Sequence, residues 1–415
     1  MQRTWERLYT LQEAIERTVN SIRLQLEVVE KDLWDCNNSI LAEDIIALHD
    51  MPPHDRSTVD GYAVIAEDTF GASVFNPVRL RVKGLLHAND HPEKYGAVNH
   101  GEAIEVYTGA PIPPNANAVI MYEDTRRVNN YIEVYRPVSP GENISKKGED
   151  FKKGDILVKK NTKLKPWHLS AIASQGLKKI KVFRPLKIGI LSTGNELLPP
   201  GSKRTTLSYV YASTEYLVKS MLDSLGFTQT TYYGIIRDDL GELSKILAKA
   251  FSENDFVITI AGTSVGRSDI IPDYVENNGE WIVRGIAIRP GKTTSTALVD
   301  EKPLFSVSGN IVAAWTAMEA YIIPTIHLLL GIKQDPKPMV EAILTRRIPN
   351  TVGYRTFVRT FLFKKDDQIY AKPFTIKGSN IYTSLIKTHG YIVIEETLEG
   401  VEAGEKVKVY IHNPF

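Results

Sequence analysis

Between residues 186 and 331 short apolar runs alternate with helical patterns, and that alternation constrains the fold more than any other feature of the chain. Lys187-Ile188-Gly189-Ile190-Leu191 reads as a strand buried on both faces. Apolar spacing predicts further strands over 231–236, 256–261, 281–288, 295–299 and 304–307. Helices are predicted over 211–225, 238–251 and 268–276, and another starts at Asn310. Strand, loop and helix at this spacing mean an α/β domain with a mainly parallel sheet.

In such open sheets ligands bind outside the carboxyl ends of the strands. Here those ends carry polar loops: Ser192-Thr193-Gly194-Asn195-Glu196, Arg237-Asp238-Asp239, the run from Ala261 to Asp269, Arg289-Pro290-Gly291-Lys292, and Ser306-Val307-Ser308-Gly309-Asn310. Gly262 and Gly266 would let backbone N–H groups approach a phosphate, and Arg289 and Lys292 would add positive charge. Glu196, Asp238 and Asp269 are hard oxygen ligands suited to Mg²⁺, which commonly bridges carboxylates and phosphates. Each loop also has a purely structural use. Asp238, Ser268 or Asp269 could cap a helix, and Arg-Pro-Gly-Lys could be a turn. Their recurrence on one edge favours a ligand.

Length and composition frame the rest. With 415 residues the chain is too long for one ordinary core and implies about two to four domains. Lys plus Arg is 50 against 49 for Asp plus Glu, which excludes a polycation of the nucleic-acid type. Its single cysteine, Cys36, excludes an internal disulfide framework and a Cys-based zinc site, and suits a reducing, cytoplasmic compartment. No targeting segment is visible at the charged N-terminus. The most apolar stretch, 321–330, contains Pro324 and His327 and is about half a membrane span, so a buried helix is expected there and no membrane crossing.

Other segments differ in texture. Thr10-Leu11-Gln12-Glu13 reads as a capping box, opening a helix on which Leu11, Ala14, Ile15, Thr18, Val19 and Ile22 share a face. Over 50–142 short β-branched runs at 78–82, 103–107, 118–121 and 131–135 alternate with Pro, Gly and Asn, marking a small β-rich module. Residues 144–187 are strongly basic, either as a solvated face or as a field that draws in a phosphorylated ligand. They lack the interleaved aromatics of a nucleic-acid groove, and no nucleic-acid partner is expected. Short strands over 340–344, 356–363, 369–371, 391–394 and 406–411 suggest a C-terminal β-barrel.

Several segments, individually no more than turns, together resemble the molybdopterin molybdotransferase family, the MoeA and gephyrin E-domain family. They are Met51-Pro52-Pro53 through Asp60-Gly61-Tyr62-Ala63-Val64, Thr108-Gly109-Ala110-Pro111-Ile112-Pro113, Gly141-Glu142-Asn143-Ile144 through Gly148-Glu149-Asp150, Ser192 to Leu197, Gly234 to Asp239, Ser264-Val265-Gly266 with Asp269, and Gly378-Ser379. The resemblance implies an α/β multidomain, L-shaped subunit. Residues 1–50 and 143–185 would form an elongated discontinuous N-terminal domain, 51–142 a β-rich insertion, 186–335 a MogA-like three-layer α/β domain, and 336–415 the barrel. It implies a homodimer with a shared site that inserts molybdate, or tungstate, into adenylylated molybdopterin, releasing AMP with the help of Mg²⁺. A molybdopterin adenylyltransferase becomes a possible partner.

Carried over by position, the catalytic set is Asp60, Thr108, Asp150, Glu196, Asp238 and Asp269, with Asp60 and Thr108 given by the second subunit. Substrate contacts fall on Gly262, Ser264, Gly266, Arg289, Lys292, Ser308, Asn310 and Ser379. Glu196, Asp238 and Asp269 remain the metal-ligand candidates. The chain also departs from the family pattern. Ser308-Gly309-Asn310-Ile311 stands for Pro-Gly-Asn-Pro, Ala261 for a Gly, Asn195 for an Asp, Arg289 for a Lys, and Ala212-Ser213-Thr214 for Asp-Ser/Thr-Asn. Those departures support an alternative, a non-catalytic member that binds or carries the pterin or oxyanion, or acts as an assembly scaffold.

Overall fold

The computed structural model describes residues 7–261, 270–374 and 378–414. Gly262, Ser264, Gly266 and Asp269 therefore lie outside the described residues. The chain divides into two compact units, one comprising residues 1–43, 160–169 and 178–415, the other 44–159 and 170–177.

The first unit opens with helix α1 (Leu11–Ser21). Its capping box forms as the sequence requires: Thr10 Oγ1 accepts the Glu13 N–H at 3.2 Å, and Glu13 Oε2 accepts the Thr10 N–H at 2.9 Å. The α/β domain follows as β1 (Leu186–Thr193), α2 (Thr214–Asp223), β2 (Thr228–Ile236), α3 (Leu240–Glu253), β3 (Phe256–Ile260), α4 (Ile270–Asn278), β4 (Gly279–Arg284), β5 (Ser295–Val299), β6 (Lys302–Val307) and α5 (Ile311–Ala317). Strand order is β2-β1-β3-β6-β5-β4, with the first four parallel and the last two antiparallel. Alternate residues bury both sheet faces. Ile188, Ile190, Ile258 and Phe305 pack with Val218 of α2 and Val312 of α5. Leu191, Val257 and Leu304 pack with Leu243 and Leu247 of α3 and Val275 of α4. Three layers result.

Two expectations change at the strand ends. The helix predicted over 211–225 begins only at Thr214, because Val210–Tyr211 pairs in parallel with Leu197–Leu198. The strand predicted over 281–288 divides at Gly285, whose φ of +85° turns the chain. Ile288–Arg289 beyond it pairs with the barrel instead. The apolar helix runs over Ile311–Leu329, long enough for a membrane span yet mostly buried in the fold. A π turn at Met318–Ile322 interrupts it just before Pro324, which cannot donate a helical hydrogen bond.

The barrel is β7 (Met339–Leu344), β8 (Arg355–Lys365), β9 (Gln368–Pro373), β10 (Gly390–Ile394) and β11 (Lys406–Ile411), closed in the order β8-β9-β7-β11-β10. Leu344, Leu362, Ile392 and Val409 fill it. Phe357 and Tyr391 face the other way and share the core of the α/β domain, with the Tyr391 ring edge-on to Trp315 of α5 at 5.0 Å.

The second unit is built on a six-stranded sheet in the order Ala118–Met121, Gly61–Val64, Glu102–Val106, Val78–Leu86, Tyr131–Val134, Thr125–Val128. Gly61 is obligatory, since a Cβ there would lie 1.9 Å from the Ile120 carbonyl oxygen. Much of the basic segment is neutralised by acids distant in sequence. Lys146 and Lys147 pair with Asp55 and Asp50 in this unit. Lys165, Lys179, Lys181 and Arg184 pair with Asp335, Glu30, Glu43 and Asp255 in the first unit. The solvated-face reading of these cations accounts for them better than a free positive field.

Glu102 in the second unit accepts from Arg81 at 2.7 Å, sits 3.1 Å from Lys83 and takes two further bonds from Asn99. The Arg81 bond foremost holds its carboxyl at about 2, below the ordinary 4.5. Such a group stabilises the fold fully above the ordinary carboxylate range and ceases to as pH falls toward its folded value. Melting temperatures of wild type and Glu102→Gln are therefore expected to differ clearly at about pH 7 and to converge as pH drops from about 4.5 toward 2. A gap independent of pH would contradict this.

Candidate active site at the strand ends

Strands β1 and β2 are neighbours, and their end loops are tied together. The Gly194 N–H donates to the Ile236 carbonyl at 3.1 Å, and the Asp238 N–H donates to Asn195 Oδ1 at 3.2 Å. Asn195, which stands where the family pattern has Asp, thus serves as a crosslink. Gly194 has φ +146° and packs under the Glu196 carboxylate, where a Cβ would lie 2.8 Å from Oε2. Helix α3 is capped by Asp239, whose carboxylate accepts the Glu242 N–H at 2.7 Å. Asp238 is therefore not the cap, and its half-exposed carboxylate has no ion pair among the described residues. Glu196 and Asp238 come to one edge as exposed or half-exposed acids. Among the described residues no three His, Cys, Asp or Glu side chains converge as a closed metal cage. Two carboxylates beside a phosphate-bearing ligand nevertheless suit Mg²⁺, which usually keeps waters and substrate oxygens in its shell.

The next strand ends meet closely. Ala261, after β3, donates its N–H to the Val307 carbonyl at 2.9 Å and takes φ +71°. Gly309 lies against it: a Cβ on Gly309 would be 3.1 Å from the Ala261 Cβ. In the turn after β6, Ser308 Oγ accepts the Asn310 N–H at 3.2 Å, so the hydroxyl that replaces a family proline holds the turn. Asn310 starts α5 through its carbonyl, which accepts the Ala314 N–H, and its side chain makes no cap bond. The Val312 N–H donates to the Ser379 carbonyl at 2.9 Å. Ser308, Asn310 and Ser379 are thereby brought together. Lys292 is exposed, its carbonyl accepting the Ile286 N–H. Arg289 turns to the barrel segment, donating to Thr351 Oγ1 at 2.7 Å and lying 3.8 Å over the Tyr354 ring.

Asp60, Thr108 and Asp150 belong to the second unit. Asp60 Oδ1 accepts the Thr108 N–H at 2.6 Å and the Thr108 hydroxyl at 2.8 Å, and these bonds hold the Asp60 carboxyl below the usual carboxylate range. Asp150 lines a cleft of about 380 Å³ with Arg56, Thr58, Ser145 and Glu149.

Two buried ionisable residues of the first unit escape a reading by motif. Arg359 on β8 is 9% exposed, and its guanidinium Nη1 donates to the Phe357 carbonyl at 2.9 Å. Its Nε has no partner, and it has no ion pair among the described residues. Burial pushes its pKa down. The available signal is an arginine inside the aromatic-rich stretch from Phe357 to Phe363. Glu215, in the first turn of α2, is 5% exposed beneath Ser192 and Tyr232, and burial raises its pKa. No motif marks it.

The described geometry agrees with relatedness along the whole chain. Residues 9–176 match the model of the MoeA N-terminal region (domain I and II), 189–328 that of a probable molybdopterin binding domain, and 341–412 that of the MoeA C-terminal region (domain IV). This chain belongs to the MoeA family. It is 39% identical over 392 residues to a molybdopterin biosynthesis protein of Methanocaldococcus jannaschii, covering 93% of this chain and 92% of that one. It is 33% identical over 391 residues to the molybdopterin molybdenumtransferase of Bacillus subtilis, covering 91% and 88%. Among solved structures, the MoeA protein of Pyrococcus horikoshii superposes with a TM-score of 0.82 at 30% identity, covering 98% of this chain and all of that one.

Within this MoeA-family chain the Ala261 backbone is strained. A left-handed L-residue costs about 1–2 kcal/mol. Replacing alanine by glycine costs about 0.4–1 kcal/mol of that through the greater entropy of the unfolded chain. Ala261→Gly is expected to raise stability by up to about 1 kcal/mol in denaturant titration. A clear loss of stability would show that the alanine methyl packs well enough to outweigh its backbone strain.

Proposed function

We propose that this protein is a cytoplasmic, homodimeric molybdenum-inserting transferase of molybdenum cofactor biosynthesis. Its substrates are adenylylated molybdopterin, supplied by a molybdopterin adenylyltransferase, and molybdate or tungstate; AMP is released. The reading rests above all on the convergence of Glu196, Asp238, the Ser308–Asn310 turn and Ser379 on the carboxyl edge of one parallel sheet. Curated relatives over nearly the full chain, named molybdopterin molybdenumtransferase, support a transferase over a carrier or scaffold.

Glu196 and Asp238 are the residues that would hold Mg²⁺, with Asp269 from outside the described residues. Bound there, the ion would offset diphosphate charge and polarise the bond that is cleaved. The chain's own groups orient the anion. The Ser308–Asn310 turn and Ser379 offer polar groups beside the start of α5, and Lys292 adds an exposed cation. Asp60 of the partner subunit and Thr108 of the partner subunit would complete each pocket. Domains divided near residues 50, 142, 185 and 335 fit this arrangement.

The direct test is to incubate purified protein with adenylylated molybdopterin, Mg²⁺ and molybdate or tungstate, and to follow AMP. Oxyanion-dependent AMP release is expected, falling about tenfold or more in Asp238→Ala, since each 1.36 kcal/mol of lost stabilisation is tenfold. The melting temperature of that variant should stay within a few degrees, because the carboxylate carries no cap. Tight binding of the nucleotide without release by either oxyanion would favour the carrier reading.

Arg359 gives a second test. A buried cation without an acid partner costs stability until an anion meets it. Arg359→Met is therefore expected to keep or raise the melting temperature while raising KM for adenylylated molybdopterin about tenfold or more. A lower melting temperature with unchanged KM would assign Arg359 to the barrel's architecture instead.

A further inference from the structure

Three consecutive residues at the start of α2 each reach a different part of the strand-end edge. The Ser213 hydroxyl, at the position that normally caps a helix, makes no cap bond and meets the Tyr382 hydroxyl at 2.6 Å. Thr214 Oγ1 donates to the Gly309 carbonyl at 2.6 Å. Glu215 is buried under β1 and β2, with Tyr232 OH 3.4 Å from its Oε1 and 3.5 Å from Ser192 Oγ. Through Val312 and Ser379 the bonds close into a circuit. Thr214 holds Gly309, three residues on the Val312 N–H holds Ser379, and three residues further Tyr382 returns to Ser213. Glu215 adds the end of β1, one residue before Thr193-Gly194-Asn195-Glu196.

We infer that Ser213, Thr214 and Glu215 are positioning residues, which fix the distance between the Glu196 loop, the Ser308–Asn310 turn and the Ser379 segment. The stretch needs such a device. With Ser308 and Ile311 in place of two prolines, the turn lacks two fixed φ angles, so its geometry must come from hydrogen bonds. Thr214 is 4% exposed and Glu215 5%, so neither bond is exchanged freely with water. The Glu215 carboxyl meets its own backbone N–H and the hydroxyls of Tyr232 and Ser192. Burial outweighs their hydrogen bonds and favours the neutral acid, raising the pKa of Glu215, and burial likewise lifts that of Tyr232 to about 12. A neutral acid and an amide offer the same pair of groups, one donor and one acceptor.

This inference rests on the proposed insertion activity only for its kinetic readout. The test compares Thr214→Val, Thr214→Ser, Glu215→Leu and Glu215→Gln by two measurements. Amide hydrogen exchange of the ligand-free protein reports residues 192–198 and 308–313. Steady-state AMP release reports kcat and KM. Thr214→Val and Glu215→Leu are expected to speed exchange about tenfold in those segments alone, and to lower kcat/KM about tenfold, mainly through KM. Thr214→Ser and Glu215→Gln are expected to restore both within about twofold. Unchanged local exchange in Thr214→Val and Glu215→Leu would overturn the inference. So would Ser and Gln variants as impaired as Val and Leu, or faster exchange spread over the whole first unit. If wild type releases no AMP, the insertion reading fails, while the exchange data still decide the positioning role.

Discussion

The burial of both faces of one parallel sheet is the constraint on which the rest of the molecule depends. Strands covered by helices on each side hold polar groups within the layers only where these find partners, as the Thr259 and Ser306 hydroxyls do at 2.9 Å, so most polarity is driven to their ends. Because β1, β2, β3 and β6 run the same way, their carboxyl ends open at one edge. There the loops must satisfy one another. The Gly194–Ile236 and Asn195–Asp238 bonds join two strand ends, and the Ala261–Val307 bond joins two more. The acids Glu196 and Asp238 are left exposed or half-exposed because neighbouring groups, Asn195 and Asp239, do the structural work.

The barrel extends that edge. Its outer face is apolar at Phe357 and Tyr391 and merges with the α/β core against Trp315, so the start of α5 and the barrel are held by the same packing. Tyr391 also donates to Glu319 at 2.6 Å, a polar bond beside the apolar contact. Ile288–Arg289 joins β8 directly, so the loop ending at Lys292 leaves from a barrel strand. Arg359 is buried on that strand two residues from Phe357, and its Nε finds no partner among the described residues.

The fold was legible where local pattern decides it. Apolar alternation located the parallel strands, and Thr10 with Glu13 marked the first helix. Both signals operate within a few residues. The strand ends were also legible as loops of the right chemistry, and Asp60 and Thr108 fell on matching motifs. What could not be read was pairing over long separations. Asp60 and Thr108 are 48 residues apart in a bonded pair, Thr214 and Gly309 are 95 apart, and Ser213 and Tyr382 are 169 apart. The spacing of Asp239 and Glu242 was a local sign of the cap that the reading passed over, whereas nothing local marks Ile288–Arg289 as barrel rather than sheet. The basic segment stayed open between two readings for the same reason, since its partners, from Glu30 to Asp335, lie outside it.

The central claim is that the carboxyl edge of the sheet, completed by the barrel segment at Ser379, holds the nucleotide part of the substrate. A crystal structure of the protein with AMP and Mg²⁺ tests it most directly. We expect the phosphate beside Glu196 and Asp238, within hydrogen-bonding reach of the Ser308–Asn310 turn or Ser379. Nucleotide bound elsewhere on the first unit, with that edge unchanged and free of phosphate, would contradict the account.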